Sequence, residues 1–270
     1  MQDAFGTRFV LYPWNRSNLL ELLRREYDRN EMEAMSLLVH EGDTALDVGA
    51  NIGTYSVYLS RLCGPRGKVF AFEPVEETFW ELCETLALNR CENVVPVRAA
   101  VSNRTAHATM NLFEPRFSPW NTFGMPCMTA PDGSKVKPSK SVQVPTITLD
   151  EFCEPRQIEK VDFLKVDVEG FEASVFEGAE KFFREHRIGT VCFEVSQAPL
   201  RGANAKSCDA FRALERHGYK AYLFSAKTRA FEGPVHDSAE EFANFFASCS
   251  DLAQAAHQVA PARAIGEVMA

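Results

Sequence analysis

Short apolar runs alternate along the chain with longer segments in which apolar residues recur every three or four positions. "TALDV" at 44–48, "KVFAF" at 68–72 and "NVVPV" at 93–97 have the length and composition of buried strands. Residues 55–62 and 75–86, which lie between these runs, carry apolar side chains at helical spacing. Strands that alternate with helices in this way predict a parallel sheet with helices on both faces.

The same alternation returns in the C-terminal half of the chain. "VDFLKV" at 161–166, "TVCFEV" at 190–195 and "YKAYLF" at 219–224 are predicted strands, and the last of them is expected to be the final one. Apolar spacing predicts helices over 171–186 and 207–217. The pattern therefore extends the α/β architecture to about residue 225.

A proline-rich stretch at 103–148 interrupts the alternation. Within it, "TAHATMNLF" and "SVQVPTITL" alternate polar and apolar residues like the strands of an inserted hairpin, and the segment between them is a candidate lid. We predict an N-terminal helical cap over 1–41, with its helix at 17–39, a main domain over 42–249 that contains the insertion, and a tail over 250–270.

Composition and charge narrow the possible partners. Hydrophobic residues make up 46% of the 270 residues, and charged residues make up 24%, as is usual for a soluble globular protein. The net charge is −8 and no basic cluster stands out, so nucleic acid is not an expected partner. No run is apolar enough to span a membrane, the N-terminus does not read as a signal peptide, and the eight cysteines include no CxxC pair. We therefore expect a cytoplasmic protein that does not bind membranes.

Candidate chemistry lies at the carboxyl ends of the predicted strands, where open parallel sheets bind ligands. The first strand ends in Asp47 and is followed by Gly49 and Gly53, a spacing that differs from the GxGxxG fingerprint of dinucleotide enzymes. A carboxylate beside these glycines disfavours a phosphate and suits a cationic amino-acid tail. Glu73 ends the second strand and can accept hydrogen bonds from both hydroxyls of a ribose. Together these features indicate S-adenosyl-L-methionine.

Each of these features has a purely structural alternative. A GxxxG turn is common in structural roles, Asp47 can act as a cap, and Glu73 can be a solvated strand end. Their order on one α/β pattern favours cofactor binding. A cofactor-binding module without catalysis and a nicotinamide-dependent oxidoreductase are the competing interpretations.

Four segments carry a resemblance to a known family: "LDVGANIGTYS", "VFAFEP", "VPTITLDEF" and "VDFLKVDVEGFEASVFEGAE". Over roughly residues 30–225 the chain resembles the FkbM family of S-adenosyl-L-methionine-dependent methyltransferases, and "KVDVEGFE" at 165–172 is the most specific part. The resemblance implies a class I, Rossmann-like methyltransferase fold, with a seven-stranded, mostly parallel sheet whose last strand is antiparallel. It also implies O-methylation of a hydroxyl on a small molecule, natural product or sugar. Nitrogen and carboxylate acceptors remain open.

The resemblance also suggests how the cofactor is bound. The first motif would line the methionine end, Glu73 would hold the ribose, and Ala100 would lie beside the adenine. The full set of expected cofactor-binding residues is Asp47, Gly49, Ala50, Asn51, Gly53, Glu73, Pro74, Ala100, Asp167 and Val168.

Methyl transfer to a hydroxyl needs a group that removes a proton, and two strand-end carboxylates are candidate catalytic residues. Asp167 is either the base or a carboxylate that is structural or binds the cofactor, and Glu194 either binds acceptor hydroxyls or forms a salt bridge. We expect Glu169 to cap the helix that follows it or to fix the loop indirectly, and Lys165 to pair with a carboxylate or point to an edge. Asp167, Glu169 and Glu194 are possible metal ligands, but simple methyl transfer needs no metal and none is predicted.

Overall fold

The structure, a computed structural model, describes residues 2–3, 6–10, 12, 28–114, 119–125 and 136–255. Eight strands form one sheet in the order β10-β9-β11-β8-β7-β1-β2-β3. Strands β3, β2, β1, β7 and β8 run parallel to one another, and β11, β9 and β10 are joined through antiparallel pairs. The strands of this sheet are β1 (Thr44–Val48), β2 (Lys68–Phe72), β3 (Val94–Val97), β7 (Val161–Val166), β8 (Ile188–Ser196), β9 (Lys220–Ser225), β10 (Ala230–Val235) and β11 (Phe242–Ser248).

Helices connect these strands, and apolar clusters lie on both faces of the sheet. One face of the central strands carries Leu46 and Val166, while the other carries Ala45 and Phe163. The described helices are α1 (Asp28–Leu38), α2 (Thr54–Cys63), α3 (Glu76–Leu88), α4 (Leu149–Cys153), α5 (Glu172–Glu177), α6 (Glu180–Arg184), α7 (Gln197–Ala203), α8 (Ser207–Glu215) and α9 (Leu252–Ala255), and a 3₁₀ turn spans Glu154–Arg156. The predicted α/β class is confirmed.

The sheet has one strand more than the expected seven. The expected final strand is β9, but two further strands follow it, and β11 inserts between β8 and β9. The prediction that "YKAYLF" ends the sheet is therefore wrong. Most of β11 is buried in the sheet, so its apolar run lacks the regular alternation that marks a half-exposed strand.

The inserted region forms a second, three-stranded sheet in the order β4-β6-β5, from β4 (Ala100–Val101), β5 (Ala106–Leu112) and β6 (Lys140–Ile147). The predicted hairpin is confirmed, because β5 and β6 pair antiparallel from Ala106 with Thr146 to Leu112 with Lys140. Most of the segment expected to form a lid, residues 115–118 and 126–135, lies outside the described residues.

The helix expected over 171–186 is two short helices, α5 and α6, which meet near Gly178. The carboxylate of Asp150 accepts hydrogen bonds from the backbone N–H groups of Lys181, at 2.9 Å, and Phe182, at 3.2 Å. This distant side chain satisfies the N–H groups at the start of α6 and allows a second helix to begin there.

The ends of the chain are described only in part. The structure shows part of the helix predicted over 17–39 as α1. Residues 17–27 of that prediction lie outside the described part, as does the tail after residue 255. Met32 and Met35 of α1 pack in the same apolar cluster as Val57 of α2 and Phe246 of β11. The N-terminal helix therefore shares the core of the main domain.

Candidate active site

The turn between β1 and α2 brings the backbone of one strand end close to its neighbour. Gly49, Asn51 and Gly53 all have positive φ, at 83°, 50° and 96°. A methyl group at Gly49 would lie 1.8 Å from the carbonyl oxygen of Asp167. The N–H groups of Gly49 and Ala50 both donate to the carbonyl of Phe72, at 3.1 and 2.9 Å. The turn is thus fixed against the ends of both neighbouring strands. Its glycines also leave room for a ligand to come close to the backbone.

Glu73 lies at the next strand end and is almost fully buried. One of its carboxylate oxygens accepts a hydrogen bond from the backbone N–H of Val75 at 2.8 Å, and the backbone of Asn51 also donates to the carboxylate. Burial raises the pKa of Glu73 to about 7, although these hydrogen bonds oppose the change. A carboxylate in this position can accept hydrogen bonds from sugar hydroxyls, as the sequence predicts.

Asp47 and Lys165 are neighbours in register on β1 and β7. Asp47 is 0% exposed, and its Oδ2 accepts a hydrogen bond from the hydroxyl of Ser56 at 2.5 Å. Its Oδ1 has no hydrogen-bond partner among the described residues and lies 4.0 Å from the Lys165 ammonium. Burial raises the pKa of Asp47 despite Lys165 and Ser56, which act to lower it. Asp47 therefore organises the base of the site, and direct contact with a cofactor stays a prediction.

Lys165 joins the two acidic residues at the base of the site. Lys165 is 5% exposed, and its ammonium lies 3.0 Å from Oδ2 of Asp167 and 4.4 Å from the centre of the Tyr55 ring. Burial alone would lower the pKa of Lys165, but the charges of Asp167 and Asp47 outweigh that effect and raise it. The prediction that Lys165 pairs with a carboxylate is confirmed.

Three carboxyl groups meet where β7 and β8 end. Carboxylate oxygens of Asp167, Glu169 and Glu194 all lie within 4.8 Å of one another. Burial raises the pKa of Glu194 well above its usual range, and the charges of Asp167 and Glu169 raise it further. Glu194 therefore holds a proton under conditions in which an ordinary glutamate is ionised, so it can donate a hydrogen bond. The cluster has the ligand atoms of a divalent-cation site, or of a site for acceptor hydroxyls.

Glu169 is not the N-cap residue of the helix that follows it. Helix α5 begins at Glu172, and its N-cap residue, Phe171, makes no side-chain capping bond. It is Glu172 that accepts backbone hydrogen bonds from this loop, from Gly170 at 3.1 Å and Val168 at 3.3 Å. Glu172 belongs to the "KVDVEGFE" segment. The spacing of that segment does not show that Glu172, and not Glu169, accepts these backbone hydrogen bonds.

The remaining predicted cofactor residues lie after β7, after β2 and in β4. Val168 lies two residues after the end of β7, Pro74 lies two residues after the end of β2, and both are partly exposed. Ala100 lies in β4 and pairs with Thr146 of the insertion, so it belongs to the smaller sheet and not to the main one. Its proximity to an adenine stays a prediction.

A protein-family model for the FkbM methyltransferase domain matches residues 47–221, which include every residue of the predicted site. The chain belongs to the FkbM methyltransferase family. The matched residues form the methyltransferase domain of this family, for which S-adenosyl-L-methionine is the expected methyl donor, and the mostly parallel sheet described above agrees with the expected class I, Rossmann-like fold.

Several proteins of known name are similar to the chain. The chain is 34% identical to the hexuronic acid methyltransferase AglP of Haloferax volcanii over 65% of both chains. It is 30% identical to the methyltransferase sdnD of Sordaria araneosa over 50% of this chain and 60% of the relative. The chain thus spans slightly less than two thirds of either relative. Among solved structures, it is similar to Aeropyrum pernix fibrillarin with bound S-adenosyl-L-methionine, with a TM-score of 0.42 and 18% identity over 91% of this chain and 84% of that one.

The residues of the site fit this cofactor. The oxygen of Asp47 that lacks a hydrogen-bond partner, the left-handed turn at Gly49 and the buried carboxylate of Glu73 provide anionic groups and close backbone approach without a phosphate-binding loop. We expect the turn residues to hold the methionine end and Glu73 to hold the ribose.

Proposed function

We propose that this protein transfers a methyl group to a hydroxyl of a small molecule or glycan, with a sugar as the favoured acceptor class. The observation that carries the proposal is the group of carboxyls formed by Asp167, Glu169 and Glu194 beside the Gly49 turn. The relative named a hexuronic acid methyltransferase supports a sugar as the acceptor. Sugars present several hydroxyls, and carboxyl groups are suited to bind them.

The carboxyl groups of the site have separate roles in this proposal. S-adenosyl-L-methionine, when bound, supplies an activated methyl group. Asp167 takes the proton that the acceptor hydroxyl loses, and Lys165, at 3.0 Å, holds its carboxylate in place. A proton-accepting group in the right position typically contributes roughly 10²–10⁴-fold in rate. Glu194, with its raised pKa, donates a hydrogen bond to a neighbouring oxygen of the acceptor and fixes its orientation.

A transfer assay with isotopically labelled methyl donor tests the proposal. The acceptors are methyl hexopyranosides, methyl hexopyranosiduronates and primary amines, and each labelled product is treated with base. Methyl ethers survive base, whereas methyl esters are cleaved, so we expect base-stable label on the sugars. Base-labile label on the uronates would instead show carboxyl methylation, and label on the amines would show nitrogen methylation. Protein that binds the donor but labels nothing in a whole-cell extract would be a binding module without catalysis.

A further inference from the structure

The loop over residues 167–171 carries two of the three clustered carboxyls, and its conformation is unusual. Glu169 has a φ of 54°, in the left-handed region. This conformation is unfavourable for a residue other than glycine, so the surrounding structure must hold it in place. The groups that hold the loop therefore determine the positions of the Asp167 and Glu169 carboxyls.

Glu172 holds the loop from the side of α5. It is 3% exposed, and a single carboxylate oxygen accepts from the N–H groups of Gly170 and Val168, which flank Glu169. A buried carboxylate is costly unless it is hydrogen-bonded, so these contacts also explain why Glu172 is tolerated there. The mechanism proposed above gives Glu172 no contact with the acceptor.

Thr122 of the insertion holds the same loop from the other side. It is 2% exposed, and its hydroxyl donates to the carbonyl of Glu169 at 3.1 Å and accepts from the N–H of Gly124 at 3.1 Å. Its backbone pairs with Asn111 of β5 at 2.8 and 3.2 Å. The small sheet is therefore connected to the carboxyl loop through one hydroxyl group.

An aromatic contact strengthens this connection. The rings of Phe123 and Phe171 meet edge to face, with their centres 5.5 Å apart, so the residue after Thr122 packs against the last residue of the loop. Such edge-to-face pairs are stabilising beyond the area that they bury. The insertion thus touches the loop through both a polar and an apolar contact.

We propose that Glu172 and Thr122 are positioning residues that clamp the 167–171 loop between α5 and the insertion, and so set the geometry of the carboxyls that receive the acceptor. This proposal rests on the proposed function, because it assigns Asp167 and Glu169 to acceptor chemistry. It gives the inserted sheet a role in turnover that is separate from binding the methyl donor.

Paired substitutions test the clamp, with the best acceptor from the sugar panel as the probe. Glu172→Ala removes the accepting oxygen and Glu172→Gln keeps one. Thr122→Val removes the hydroxyl at nearly constant volume, and Thr122→Ser keeps it. We expect kcat to fall roughly 10²-fold in Glu172→Ala and about tenfold in Thr122→Val, because displacement of a reacting group by about 1 Å can cost roughly 10²-fold. The Gln and Ser variants should recover most of this loss.

The affinity for S-adenosyl-L-methionine and the effect of the double variant separate positioning from general damage. Affinity should fall much less than kcat in all four variants, because the donor is also expected to contact the turn after β1 and Glu73, which these changes leave intact. The kcat of Thr122→Val combined with Glu172→Ala should fall by less than the product of the two single losses, since both changes release the same loop.

Thr109→Val is the matched control. Thr109 lies exposed on β5, and its hydroxyl accepts only from Gln143 among the contacts of the described residues, at 2.6 Å.

Hydrogen exchange gives a readout that does not depend on the acceptor. The amides of Val168 and Gly170 should exchange faster in Glu172→Ala than in the wild type. If the wild type labels no acceptor, the proposed function fails, and unchanged exchange at these amides would then overturn the clamp as well. If the wild type does transfer methyl, the clamp is overturned when Thr122→Val behaves like Thr109→Val, or when donor affinity falls in step with kcat.

Discussion

At the scale of single residues, the site places carboxyl groups in different surroundings and thereby gives them different properties. Asp47 is fully buried beside Lys165, and Glu73 is buried but receives backbone N–H groups. Asp167 is partly exposed and faces the cluster, where Glu194 holds its proton more tightly than usual. Because burial and neighbouring charges differ at each position, one residue can accept a proton while its neighbour donates a hydrogen bond.

The raised pKa of Glu73 predicts a pH-dependent affinity for the cofactor. With a pKa of about 7, the group loses its charge as the pH falls through neutrality, and a protonated carboxyl cannot accept hydrogen bonds from both ribose hydroxyls. Calorimetry should show S-adenosyl-L-methionine binding weakened up to about tenfold between about pH 8 and about pH 6. In Glu73→Gln, the pH dependence of affinity should come only from the ligand's own titration. If affinity varied with pH in the same way in both proteins, the role of Glu73 in binding the ribose would be contradicted.

Residues that end apolar runs could be identified from the sequence, whereas residues that support them could not. Asp47 is the second-last residue of one buried strand and Glu73 directly follows another, so their position at the sheet edge is predictable. The different roles of Glu169 and Glu172 depend on the residue at which α5 begins, and helix ends are the least certain part of such a prediction. Thr122 carries no local signal, because its partner is 47 positions away in the chain.

At the scale of elements, the turn after β1 is the feature that the sequence specifies most fully. Its glycines mark the end of a strand and a place where two backbone segments come close together. The structure shows this contact between Gly49 and the carbonyl of Asp167. The parallel strands were predictable because each is a short apolar run between polar turns. The pairing of β11 with both β8 and β9, and the break between α5 and α6, depend on partners distant in the chain.

Two glycines with nearly equal φ test the importance of the close contact between Gly49 and the carbonyl of Asp167. Gly49 has a φ of 83° and Gly218 one of 81°, but a methyl group at Gly218 would meet nothing within 4 Å. Gly218→Ala should cost only the strain of the left-handed conformation, about 1–2 kcal/mol of unfolding free energy. Gly49→Ala should cost at least about 1–3 kcal/mol more, because the new methyl overlaps a backbone carbonyl. Urea unfolding measures both values, and equal losses would show that the contact at Gly49 is unimportant.

At the scale of the whole molecule, a main sheet and a small inserted sheet meet at the loop that carries the clustered carboxyls. The main sheet supplies the cofactor motifs, and the insertion reaches the loop through Thr122. Helix α1 packs into the main core, although it lies outside the part of the chain that the family model matches. Within the described residues, no helix is both long and apolar enough to cross a membrane.

Metal removal tests whether the carboxyl cluster works without a cation. Lys165 already neutralises Asp167, and Glu194 tends to hold a proton, so the cluster carries less negative charge than its composition suggests. We expect dialysis against EDTA to leave kcat unchanged, and added Mg²⁺ or Mn²⁺ to have no effect. Loss of activity that returns with either ion would assign Asp167, Glu169 and Glu194 to a metal site.

The most direct test of the central claim is single-turnover methyl transfer by Asp167→Asn, measured beside its affinity for S-adenosyl-L-methionine. Asparagine retains an oxygen that can accept from Lys165 but cannot take a proton. Asp162→Asn, a change near the opposite end of β7, serves as the control. The account predicts that the rate falls roughly 10²–10⁴-fold while affinity changes by less than about twofold. An unchanged rate, or equal losses of rate and affinity, would contradict the role of Asp167 as the base.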